Sequence, residues 1–165
     1  IQFIKDFSAL HERLRFQFQL SLHTAIETER AQMIPSRAGK QGLGLILQEF
    51  YRLADFLAAK LKCNYLLLDF PNGGKNYDQA HLDALRRQLD PSRTRIKLTR
   101  YSETGKKFQS PPAEEFARVQ AELEASGFEV KIRNIIGADI VAACGMLHYE
   151  ERPSLDNNLL RLGKK

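Results

Sequence analysis

The feature that most constrains this chain is a repeated switch between helical and extended apolar spacing. Leu43, Ile46, Leu47, Phe50, Leu53, Leu57 and Leu61 recur at the interval of one helix face, and the apolar run Tyr65 to Phe70 then reads as a buried strand. The exchange repeats on both sides. Ile4, Phe7, Leu10 and Leu14 have helical spacing before Phe16 to His23 alternates strictly between apolar and polar. After the turn Pro71-Asn72-Gly73-Gly74, a helix is predicted from about Tyr77 to Leu89 and a strand from Arg95 to Tyr101. Pro111-Pro112 opens a further helix carrying Phe116, Val119 and Leu123, with Gly127 at its C-terminal cap. Phe128, Val130 and Ile132 alternate with charged residues in a last strand.

This order predicts an α/β fold of parallel strands joined by right-handed helical crossovers. A helix-first chain with so few strands leaves faces and edges to be covered. The expected architecture is therefore a parallel-stranded partial (β/α) barrel over residues 1–149, followed by a polar C-terminal tail over residues 150–165.

The first strand departs from the continuous apolar run of a strand buried on both faces. Phe16, Phe18, Leu20 and Leu22 point one way, and Gln17, Gln19, Ser21 and His23 the other. Two readings fit: a cleft lined by polar side chains, or an edge strand with one wet face. Ser21 and His23 stand at the C-terminal end, where α/β folds place their ligands.

No apolar run approaches the ~20 residues of a membrane span, and the start has none of the parts of a signal peptide. Two cysteines, Cys63 and Cys144, make no disulfide framework, so a cytoplasmic location is expected. The net charge of +5 tilts toward an anionic partner, and between Arg93 and Lys107 there are six basic residues against one acid, Glu103. That cluster suits a phosphate backbone, or is a solvated basic surface. Cys63 reads as core. His11, His81 and His148 have no metal-ligand spacing and read as solvated surface.

Two segments carry a resemblance. Gly137-Ala138-Asp139-Ile140-Val141-Ala142-Ala143-Cys144-Gly145-Met146-Leu147 resembles the C-terminal motif Gly-x-Asp-Ile-x-Ala-Ala-Cys-Gly-Gln-Leu of the RlmN/Cfr radical S-adenosylmethionine methyltransferases. Ser21-Leu22-His23-Thr24-Ala25, then Arg30 and Met33-Ile34-Pro35, resemble that family's Ser-Leu-His-Ala strand end and the Arg-x-x-x-x-Pro after it. The two lie in the family's order, so the resemblance spans nearly the whole chain and implies the C-terminal half of a radical SAM barrel.

The resemblance implies a specific chemistry. Cys144 is the expected catalytic residue, accepting a methyl group from S-adenosyl-L-methionine. A second S-adenosylmethionine, reductively cleaved at a [4Fe–4S] cluster by an electron donor, gives a radical that activates the methylated cysteine toward an adenine of ribosomal RNA. A thiolate suits the first step because it is a strong nucleophile. Without the motif, Cys144 reads as a small buried hydrophobe among Ala142, Ala143 and Gly145. Ser21, Leu22 and His23 match the cofactor-binding strand end. Ser102 falls where the family has a cofactor-contacting Asn.

The pattern is incomplete. The cluster-binding Cys-x-x-x-Cys-x-x-Cys, the glycine-rich cofactor strand and the resolving cysteine, which the family carries upstream, are absent from this sequence. No metal ligand is therefore assigned within it. The missing initiator Met and helix-first start suggest a piece of a longer chain. Ser102 and Met146 depart from the family's residues and point to a divergent branch. The expected function is a radical SAM RNA methyltransferase. The alternatives are a radical SAM enzyme with a non-RNA substrate, and a cluster-free binding module.

Overall fold

The computed structural model of the chain describes residues 18–34, 42–102 and 108–133. Its elements run β1 (Gln19–Ser21), α1 (Glu27–Met33), α2 (Leu43–Phe56), β2 (Leu61–Leu67), α3 (Gln79–Gln88), β3 (Thr94–Arg100), α4 (Ala113–Ala125) and β4 (Glu129–Arg133). The leading helix, the tail and the Cys144 motif predicted from the sequence lie outside the described residues.

All strand pairs are parallel, and the sheet order β1-β2-β3-β4 follows the chain. A doubly wound sheet reverses its strand order at a switch point. An unbroken order is that of a segment cut from a barrel, as the helix–strand alternation predicted.

One face of every strand carries the core. Leu20 of β1, Leu61, Cys63, Tyr65 and Leu67 of β2, Ile96 and Leu98 of β3 and Val130 of β4 pack against Leu43 and Leu47 of α2, Leu82 and Leu85 of α3, and Phe116, Val119 and Leu123 of α4. Each such side chain contributes about 1.5–3 kcal/mol on full burial. The opposite face is polar apart from Leu66 of β2. Register sets Gln19, Lys62, Arg95 and Glu129 in one row, with Ser21, Asn64, Lys97 and Lys131 in the next. The polar alternation read in the first strand is thus the pattern of the whole sheet, and β1 is an edge among the described strands.

Two boundaries and one short helix depart most from expectation. The longest helix ends at Phe56, because Ala58 takes a left-handed conformation (φ 48°) and Ala59 N–H closes on Ala54 O at 2.9 Å. Strand β2 consequently begins at Leu61 instead of Tyr65, and it alternates: Lys62, Asn64 and Leu66 occupy the polar face. The short helix α1 has no apolar stripe that periodicity would register. It is positioned by pairings outward, among them Glu27 Oε1, which accepts the Leu43 N–H at 2.6 Å and so caps α2.

Gly127 does close α4, with φ 87° and hydrogen bonds from Gly127 N to Glu124 O and Phe128 N to Leu123 O. Cys63 is core, as read. His81 is not surface: it is 5% exposed, in the first turn of α3, because carboxylates meet both ring nitrogens. Among the described residues no helix is long and apolar enough to cross a membrane.

Candidate functional site

Strand β1 stops where its backbone leaves the ladder. Leu22 N–H makes the last bond, to Asn64 O at 3.0 Å. His23 then adopts φ 56°, a left-handed conformation that costs a non-glycine residue about 1–2 kcal/mol. The corner persists because its carbonyls are held. Thr24 N–H and Arg30 Nη1 donate to Leu22 O at 2.7 and 3.3 Å, and Asn76 Nδ2 donates to His23 O at 2.8 Å.

The side chains at this corner divide. Leu22 is fully buried in the core, with both backbone polar groups already bonded. Ser21 is exposed and His23 half-buried. Both line a cavity of about 680 Å³ with Leu20, Arg30, Ile46 and Phe50. Ser102 is half-buried just past β3, two strands away, and is not among that cavity's lining residues. Cys144 lies outside the described residues.

Electrostatics at the corner follow from burial. Arg30 is 3% exposed, and burial lowers its pKa. Burial, then the neighbouring Arg30 charge, lowers that of His23, so its imidazole is neutral at neutral pH. The buried His23 Nδ1 and Arg30 Nε have no hydrogen-bond partner within the described protein. A neutral imidazole and a serine hydroxyl, set in apolar walls, can each donate or accept a hydrogen bond to a ligand.

A second region lies on the polar sheet face. Lys62, Arg95, Lys97, Lys131 and Arg133 surround a hollow of about 330 Å³ with Gln19. Glu129 pairs with Arg95 at 2.7 Å. Burial, then Arg133 and Lys62, lowers the Lys97 pKa. Of the basic stretch read from Arg93 to Lys107, Lys106 and Lys107 lie outside the described residues, and the described members do not form one surface. Arg93 stacks on Tyr51 and pairs with Asp55 at 2.7 Å, Arg95 and Lys97 face the hollow, and Arg100 lies over Phe116.

The residues that sequence reasoning missed are the supports. Asn76 and His81 sit near the start of α3, and Glu29 accepts from Thr24 Oγ1 at 3.3 Å while facing His81 Nε2 at 2.7 Å. Arg30 was singled out only through its motif. Nothing in local spacing signals the Asn76–His23 and His81–Glu29 contacts, since each depends on the fold bringing segments more than 50 residues apart together.

No family model matches the chain. A probable dual-specificity RNA methyltransferase RlmN of Syntrophomonas wolfei is 28% identical over 142 residues, covering 86% of this chain and 38% of that protein. A protein of the same name from Flavobacterium johnsoniae is 30% identical over 141 residues, covering 84% and 38%. A solved structure of a radical SAM methyltransferase from Sphaerobacter thermophilus matches with a TM-score of 0.72 at 26% identity, over 88% of this chain and 41% of that one. These likenesses uphold the resemblance read from the residues, and the parallel α/β fold with it. The chain spans about 38% of the length of these curated relatives.

Proposed function

We propose that this chain forms the C-terminal part of a radical S-adenosylmethionine methyltransferase acting on an adenine of RNA, with Cys144 as the methyl carrier. The observation that carries the reading is the likeness over 88% of the chain to a radical SAM methyltransferase structure. The relatives named as RNA methyltransferases supply the substrate class.

The strand-end residues fit S-adenosylmethionine. Ser21 offers an exposed hydroxyl, the buried His23 Nδ1 has no partner among the described residues, and Leu20, Ile46 and Phe50 give apolar walls. When bound, the cofactor supplies a methyl group and, on reductive cleavage, a deoxyadenosyl radical. The part of this chain's own residues is position: Ser21 and His23 hold the cofactor side, Leu22 anchors the corner in the core, and Ser102 stands past β3 at the position where the resembled motif has a cofactor-contacting Asn. A [4Fe–4S] cluster does not fit the described residues, among which no group of three or more His, Cys, Asp or Glu is gathered around a metal site. Its ligands and the electron donor are assigned outside this sequence.

A non-RNA substrate is the second reading. It is favoured by the ion pairs that already engage Arg93 and Arg95, and by Ser102 and Met146 at positions where the resembled motif has other residues. The test is to incubate the protein encoded by the full reading frame, anaerobically and reduced, with ribosomal RNA and S-adenosylmethionine, and to analyse the nucleosides by mass. Methyladenine formed by the parent and lost in Cys144→Ala supports the first reading. Undiminished methylation in Cys144→Ala overturns the carrier role. Cofactor turnover without RNA product favours the second reading.

A further inference from the structure

We propose that Asn76 is a positioning residue for the Ser21–His23 corner, and that its carboxamide, more than the β1 ladder, sets where His23 stands. The inference rests on reading Ser21 and His23 as cofactor contacts, but it concerns a residue 53 positions further along the chain.

The ladder cannot do this work, because it ends at Leu22. Beyond it, His23 holds a positive φ that a non-glycine side chain keeps only where its surroundings enforce it. Asn76 is such an enforcer. It is 0% exposed, and its polar atoms are all engaged. Its N–H donates to Leu68 O at 3.2 Å, and its carbonyl accepts from the Tyr65 hydroxyl. Its Oδ1 accepts from Leu68 N–H at 2.8 Å, and Nδ2 donates to Leu66 O at 2.6 Å. The first two bonds hold the Asn76 backbone and the last two fix its side chain to the end of β2. The remaining amide hydrogen is committed to His23 O at 2.8 Å.

The residue type follows from this geometry. One acceptor must meet an N–H while two donors meet two carbonyls, and a terminal carboxamide supplies that set. Aspartate, equal in size, would press a carboxylate oxygen against the carbonyls of Leu66 and His23. Leucine would take the side-chain partner from three backbone groups, those of Leu66, Leu68 and His23. Because the loop after β2 carries Asn76, the position of His23 is tied to that loop and not only to its own strand.

The test is solution NMR on the whole chain, reading the sign of the His23 backbone φ from the strength of its intraresidue amide–Hα NOE, which is strong at positive φ, with a titration by S-adenosylhomocysteine as the probe. Asn76→Asp is expected to move His23 out of the positive-φ region and to weaken the probe about tenfold, the loss expected for an unpaired buried group. Tyr65→Phe removes one bond on the β2 side but keeps both carboxamide hydrogens. It is expected to lower stability while leaving the His23 φ and the probe affinity unchanged. A folded Asn76→Asp protein that retains the His23 φ overturns the proposal. Should that variant not fold, the smaller uncharged Asn76→Ala is read the same way. A probe that does not bind the parent chain counts against the cofactor reading alone, and the His23 φ then decides the role of Asn76.

Discussion

The Nε2 of His81 stands 2.7 Å from Oε2 of Glu29, 52 residues away in sequence, and joins the first turn of α3 to α1. The other ring nitrogen meets Oδ1 of Asp78, the N-cap of α3, also at 2.7 Å. One buried ring thus ties a helix cap to the short helix whose next residue, Arg30, holds the Leu22 carbonyl. His81→Leu keeps the volume and removes both contacts. It is expected to cost about 1–3 kcal/mol, the range for unpairing buried polar groups. Denaturant unfolding reads the loss, and hydrogen exchange should rise first at the amides of α1.

His23 gives a pH dependence with a definite sign. Its folded-state pKa lies below the ordinary 6.5, first through burial and then through Arg30. The folded protein therefore resists the proton that the unfolded chain takes up. Stability from this group is complete above pH ~6.5 and declines as pH falls from there toward the lower folded pKa. The slope is bounded by one proton, about 1.4 kcal/mol per pH unit. His23→Asn, a residue that tolerates positive φ, should remove this component. Unfolding curves of parent and variant between about pH 7 and pH 5 that fall in parallel would refute it.

Cys63 should be chemically silent in the native protein. It is 1% exposed on β2, and burial pushes its thiol up from 9.0 to about 12. The thiolate is the reactive form, so alkylation near pH ~8.5 should wait for unfolding. Labelling followed by peptide mass analysis distinguishes it from Cys144. Cys63→Ser would bury a hydroxyl in the same place and is expected to cost about 1–3 kcal/mol.

What was legible in the sequence was periodicity, and it gave the order of helices and strands because each element shows the core one face. Leu61 shows where that signal fails. It continues the stripe of Leu43 to Leu57, yet it opens β2, and spacing alone cannot assign a residue that satisfies both patterns. His81 was misread for a different reason. A polar residue is buried when its partners meet it in the fold, and Glu29, 52 residues away in sequence, meets His81 from α1. The strand-end pair Ser21 and His23 was legible because alternation and strand polarity are local. Asn76 and Arg30 were not legible from spacing, since their work is to satisfy backbone groups of other segments.

The ends of α2 and α4 make a matched pair that yields the last prediction. Both close with the same two bonds: Ala58 N to Asp55 O and Ala59 N to Ala54 O in one, Gly127 N to Glu124 O and Phe128 N to Leu123 O in the other. The left-handed residue is Gly127 (φ 87°) in α4 but Ala58 (φ 48°) in α2. An L side chain in that region carries a steric cost of about 1–2 kcal/mol, which glycine avoids. Against this, glycine gives the unfolded chain more freedom, worth about 0.4–1 kcal/mol. The steric relief is the larger quantity, and Ala58 is exposed, so its methyl contributes little packing. Ala58→Gly should therefore raise unfolding stability by about 0.5–1 kcal/mol, read as a higher denaturation midpoint at unchanged slope. A lower midpoint would mean that the Ala58 methyl, and not its backbone, governs how α2 ends.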